Sequence, residues 1–352
     1  MSTITNKQSW IYSAKADLLF ILSPPFVALL AILLFPAVFQ QAGSIPLLYW
    51  VFLILLIDVA HVYTTLYQTY FNPQRLKKHY SLYMAIPVVC YVVGVLLHSI
   101  DGMLFWRILA YLAVFHFIRQ QYGFMRLYSR TENQSPDWCK TIDVISIYTA
   151  TLYPLVYWHL SDDRNFNWFI DGEFFQFHSD LLLSLVTVLY FLVLCIYLIK
   201  ETFIILKYKQ FNIPRNLIIG GTFLSWYFGI VYFNGDMAFT TLNVVSHGIP
   251  YMSLVWFMQK KERPDYKGSL LIHLKRSYGI LIFLGIIVVL AYLEEGLWDG
   301  FIWKEHQPFF GIFKQLPTIT SKETLALIVP LLSLPQSTHY VLDGFIWKKS
   351  HA

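Results

Sequence analysis

The sequence predicts an all-α fold: a polytopic integral membrane helical bundle of about ten transmembrane helices, with both termini cytoplasmic. Three observations lead there. Of 352 residues, 57% are hydrophobic and 13% charged, and mean hydropathy is +0.52; a soluble domain carries about 25% charge. The apolar residues gather in runs near the roughly 20 residues a helix needs to cross the hydrocarbon core. The basic residues then alternate between segments as one consistent topology requires.

The first run, 17–38, follows a polar N-terminus with no small-residue cleavage site, so it reads as a retained anchor. Ser23-Pro24-Pro25 would break it. Runs at 46–71 and 80–98 flank Arg75, Lys77 and Lys78, and 103–125 ends at Arg126. The fifth, 142–160, is the most polar and contains Pro154, while 181–206 leads to Lys207 and Lys209. The seventh and eighth, 214–233 and 237–258, form a tight pair around Asn234-Gly235-Asp236, and 277–293 and 323–346 complete the set. With no internal repeat, low-complexity tract or linker, residues 1–352 read as a single transmembrane domain. Gly94, Gly220, Gly221 and Gly229 are candidates for close helix contacts.

With the N-terminus inside, twenty basic residues fall in cytoplasmic segments and five in outer ones: Arg107, Arg164, Lys304, Lys314 and Lys322. Arg119 is the one left over, inside the fourth run. A four-to-one bias is what the positive-inside rule expects. Two long outer loops, 161–180 and 294–322, are rich in aromatics such as Trp168, Phe169, Trp298 and Trp303, and are expected to lie along the membrane surface.

Several functions are excluded early. No basic block interleaves with aromatics, which argues against nucleic acid. The three cysteines, Cys90, Cys139 and Cys195, form no CxxC, so neither a thiolate zinc site nor an iron–sulfur cluster is supported. HExxH, the Walker motif, GxGxxG and the clustered histidine boxes of membrane desaturases are all absent.

What remains is a layer of histidines. His61, His116, His247 and His339 fall in the second, fourth, eighth and tenth runs, all descending towards the cytoplasm. The next basic residue follows 14, 10, 13 and 9 positions later, at Arg75, Arg126, Lys260 and Lys348. At 1.5 Å per residue this puts all four at one depth, roughly 14–21 Å from the cytoplasmic side. A lone buried histidine commonly does no more than hydrogen-bond; four at one depth are harder to explain without a ligand. Each has a polar residue three or four positions away on the same helix face: Asp58, Gln120, Asn243 and Asp343. Metal-bound imidazoles give their other N–H to such groups. The expectation is therefore a metal site of His61, His116, His247 and His339. Asp58 and Asp343 serve as ligands or orienting, catalytic carboxylates, and Gln120 and Asn243 support from behind.

Imidazole suits iron, copper and zinc alike. A dry site with an open coordination position suits iron that activates oxygen. The arrangement is similar to that of the bacterial membrane carotenoid-cleaving oxygenases, helical proteins with iron held by four dispersed histidines, though no motif of theirs aligns here. The expected function is a membrane-embedded metalloenzyme, a non-haem iron oxidoreductase acting on a lipid, isoprenoid or other apolar substrate. It would be served by a separate electron donor and sit in a bacterial inner membrane. The alternatives are a metal-ion or proton transporter using the same His and Asp residues, and a haem-binding electron-transfer protein.

Overall fold

A computed structural model describes residues 8–40, 45–132, 136–261 and 270–347. Helix and turn account for its regular structure, with no strand among the described residues. The chain opens with α1 (Ala14–Leu22) and α2 (Pro24–Leu34), which meet at a 50° bend. The bend sits at Ser23-Pro24-Pro25, where the two prolines start a new helix and cannot donate to the old one. Then come α3 (Leu47–Gln68), α4 (Tyr80–Ile100) and α5 (Gly102–Tyr128). They are followed by α6 (Asp137–Leu160), α7 (Asp180–Tyr208), α8 (Ile213–Trp226) and α9 (Asp236–Lys261). The chain closes with α10 (Gly279–Trp303) and the pair α11 (Lys322–Leu332) and α12 (Leu334–Ile346), bent by 46°. Side-chain caps start several of them: Ser179 accepts from the backbone N–H of Leu182, Asn212 from that of Arg215 and Ser321 from that of Thr324.

Five helices are long and apolar enough to cross a membrane: α3, α4, α5, α7 and α10. The two bent pairs bring the number to seven if each counts as one span. The expected ten are not reached by this measure. Helix α6 carries Asp137, Lys140 and Asp143, and α9 carries Asp236, Asn243, Ser246 and His247 among its apolar residues. Helix α7 shows what a lipid-facing surface looks like: Leu181, Val188 and Ile199 are each more than 60% exposed on a helix with few buried positions. Lys7, Arg263, Lys267, Lys348 and Lys349, which contribute to the predicted charge bias, lie outside the described residues, as do both termini.

One boundary is corrected outright. The ninth run does not end at 293. Helix α10 continues through Glu294, Glu295 and Asp299, its last five residues in π geometry, so the loop expected over 294–322 begins only after Trp303.

The helices sort into two compact units. The first holds α1, α2, α6, α7, α8, α5 from Phe117 onward and α9 up to Pro250. Ala28, Leu29 and Ile32 of α2 pack there against Phe233, Ala238 and Leu242. A Cβ on Gly221 would fall 2.7 Å from Cγ of Pro25, so the approach of α8 to α2 requires glycine. Lys200 and Arg215, two of the basic residues assigned to cytoplasmic segments, are fully buried in an ion network. Lys200 Nζ lies 2.5 Å from Asp143, Arg215 bonds Asp143 at 3.2 Å and Glu132 at 2.9 Å, and both cations bond Glu201. Such charges survive burial only because each is paired.

The second unit holds α3, α4, α5 through His116, residues 168–173, α9 from Tyr251, and α10 to α12. Leu55, Val59, Tyr67, Tyr251, Phe283 and Ile287 form one core, and Phe105, Leu109, Trp298, Val329 and Tyr340 another. The 168–173 segment is a turn around the buried Glu173. Its carboxylate accepts the N–H groups of Trp168, Phe169 and Ile170, and Arg107 holds the carbonyls of Gly172 and Glu173. Burial pushes the Glu173 carboxyl up to about 7 despite those three donors.

The glycine contacts separate cleanly. Gly221→Ala should destabilise the protein by about 1–3 kcal/mol through overpacking. Gly220, with nothing within 4 Å of its added Cβ, should accept alanine neutrally or with a gain of up to about 1 kcal/mol. Thermal melts of the two variants in detergent, followed by circular dichroism, check the contrast.

Candidate metal centre

Helix α3 reaches His61 through a stretch of π geometry, Val51–Val59. Wide turns of this kind are rare and concentrate at functional sites. Asp58 is the last residue but one of that stretch, and its Oδ1 lies 3.7 Å from Nδ1 of His61. One turn further, Thr65 places Oγ1 2.6 Å from Nδ1 of His339 and 3.2 Å from the Tyr251 hydroxyl. Helix α12 supplies His339 and, four residues on, Asp343, whose Oδ1 is 3.8 Å from the His339 Nδ1. The other Asp343 oxygen lies 3.6 Å from Nδ1 of His116 on α5. Tyr251 of α9 donates its hydroxyl to Asp343 at 2.5 Å.

The three rings pack edge to face. The His116 and His339 centroids are 4.4 Å apart, those of His61 and His339 5.1 Å. Tyr251 stands edge-on to all three at 5.1–6.4 Å, and Tyr340 lies 5.1 Å from His116. His247 is fully buried on α9, stacked flat on Phe117 with centroids 3.5 Å apart. Within the second unit, His61, His116 and His339 each offer a ring nitrogen, and these atoms lie within 4.8 Å of one another. A buried histidine group of this kind could hold a metal ion.

The chemistry of one donor can be followed in detail. His339 Nδ1 is engaged by Thr65, and its Nε2 is buried with no hydrogen-bond partner among the described residues. If Nδ1–H donates to Thr65, the Thr65 hydroxyl to Tyr251 and Tyr251 to Asp343, every proton in the chain is placed. Nε2 is then left as a bare lone pair. That is the tautomer a metal requires, held by a hydroxyl where a carboxylate is commoner. Asp343 thus acts on two rings and a phenol at once, while Asp58 serves His61.

Sequence spacing identified the histidines and both carboxylates; it missed Thr65 and Tyr251. Thr65 follows His61 by one helical turn and Tyr251 follows His247 by one turn, so the same rule that selected Asp58 and Asp343 would have selected them had hydroxyls been considered. The two amides turn elsewhere. Gln120 donates to the backbone carbonyl of His247 at 2.9 Å, and Asn243 to that of Phe239 at 2.9 Å.

No protein-family model matches the chain, no curated protein matches its sequence and no solved structure matches its fold.

Thr65→Val keeps the shape of the side chain and removes the hydroxyl. It should weaken metal binding by about 10–100-fold, as loss of an orienting partner does elsewhere. Competition titration with a chromogenic chelator against wild type measures this; equal affinities would place Thr65 outside the site.

Proposed function

We propose that this chain is a membrane-embedded metalloenzyme, a non-haem iron oxidoreductase of the oxygenase kind. Its substrate is a lipid, isoprenoid or other apolar molecule, and a separate protein or small reductant supplies electrons. The observation that carries the reading is the buried histidine group with its hydroxyl and carboxylate supports. Iron is the metal best matched to an all-imidazole set with carboxylates at hand; copper or zinc would also accept these donors. A bound metal would supply dioxygen activation at an open position. The protein's own residues do the rest. His61, His116, His247 and His339 bind; Asp58 and Asp343 ligate or orient; Thr65 and Tyr251 keep His339 in the binding tautomer. Val59 and Ala60, next to His61 in the chain, and Ala113, three residues before His116, are all buried, which favours a dry surrounding for the rings.

Haem fits these residues less well. Imidazoles that bind one haem from opposite faces need the width of a porphyrin between them. His61, His116 and His339 touch edge to face at 4.4 and 5.1 Å, which leaves no such slot between those pairs.

One observation favours a second reading, a metal-ion or proton transporter. His339 and Asp343 lie on the second half of the broken pair α11–α12, and broken helices are how many transporters expose backbone to an ion. Flux measured in proteoliposomes decides between the two.

Single alanine variants of the four histidines should each lose most of the bound metal, and with it oxygen uptake in the presence of membrane lipid extract. Elemental analysis beside an oxygen electrode checks both. Full metal retention in all four variants contradicts the proposal, and ion flux that depends on Asp58 or Asp343 favours the transporter.

A further inference from the structure

The first unit holds a small internal cavity that lies outside both the histidine group and the ion network. Its volume is about 10 Å³, the room that one water molecule takes. Gln121 of α5, Thr222 and Ser225 of α8 and Ser246 of α9 line it, each at most 6% exposed. Among the described residues that line it, none is charged.

The hydroxyl hydrogens of these residues are committed elsewhere. Ser246 donates to the carbonyl of Leu242 at 2.5 Å, and Ser225 donates to that of Thr222 at 3.4 Å. The Thr222 hydroxyl has two acceptors, Oε1 of Gln121 at 3.1 Å and the carbonyl of Ile218 at 2.8 Å. Gln121 directs its amide nitrogen to the carbonyl of Ser246 at 3.5 Å. A hydroxyl has one hydrogen and two lone pairs, so these side chains keep oxygen lone pairs in reserve.

The backbone adds to them. Pro25 and Pro250 also line the cavity, and neither has an N–H for the carbonyl one turn earlier, that of Ile21 and that of Ser246. Gln121 answers the Ser246 carbonyl. Ile21 sits at the 50° bend between α1 and α2, where Pro24 is equally without a donor and the N–H of Phe26 goes to the carbonyl of Ser23. Ile21 itself lines the cavity.

We propose that this cavity is a Na⁺ site, joining the bend between α1 and α2 to α5, α8 and α9. Neutral carbonyl and hydroxyl oxygens can replace the water shell of an alkali cation, and interrupted helices supply such oxygens inside a bundle. Walls without a carboxylate give a dication no counter-charge. A space the size of one water favours Na⁺ over the larger K⁺. The site is independent of the metal reading of the histidines.

The test uses the full-length protein in detergent. Radiolabelled Na⁺ should bind wild type saturably at one per chain, displaced by unlabelled Na⁺ and not by choline. The melting temperature should rise with NaCl and stay flat with choline chloride at equal ionic strength. Thr222→Val and Ser246→Ala each remove one oxygen and should bind Na⁺ about tenfold more weakly. Circular dichroism and melts in choline chloride show that each variant folds, and either one suffices. No saturable Na⁺ binding to wild type means a cavity filled by water and overturns the site. Wild-type affinity in the folded variants puts Na⁺ elsewhere and overturns it too. Displacement by K⁺ as effective as by Na⁺ overturns the choice of cation.

Discussion

Every polar side chain buried in an apolar helix bundle must find its answer in another side chain or in a ligand. That constraint organises this protein. Lipid offers no water to rescue an unpaired imidazole or carboxylate, so such groups either pair or gather around something that pairs with them.

The chain meets the constraint in two ways. In one unit the solution is internal: Lys200 and Arg215 are matched by Asp143, Glu201 and Glu132, and the network closes on itself. In the other, His61, His116 and His339 face one another with Asp58 and Asp343 behind them. Imidazoles do not satisfy each other edge to face. Nε2 of His339 has no hydrogen-bond partner among the described residues; with the Nδ1 proton given to Thr65 it is a bare lone pair, and a metal ion is the acceptor that fits a set of such donors. The π turns before His61 and after Trp298 belong to the same picture. Each holds an acid, the half-buried Asp58 in one and the buried Asp299 in the other.

Much of this was legible in the residues. The bend at Ser23-Pro24-Pro25 follows from proline's missing N–H, and the meeting of Asp58 with His61 and of Asp343 with His339 follows from helical spacing. Equal depth, judged from the next basic residue, was enough to group four histidines scattered over almost 280 positions. Other features were hidden for physical reasons. An apolar window stops at the first pair of charges, so 277–293 excluded Glu294 and Glu295 although the helix holds them. Thr65 and Tyr251 are ordinary core residues by composition, and only their contacts mark them out. Gln120 and Asn243 could bond either a ring or a nearby carbonyl, and spacing does not rank the two. Five to seven candidate spans stand beside the ten expected, because helices such as α6 and α9 have the length of a span but carry more polar residues.

The central claim is that the histidines hold a metal. X-ray absorption at the edge of whatever first-row metal co-purifies with the full-length protein tests it most directly. A first shell dominated by nitrogen near 2.0–2.2 Å, about the distance at which imidazoles bind first-row metals, with the outer-shell scattering of three or four imidazoles, is the predicted result. A shell of oxygen or sulfur without imidazole scattering would contradict it.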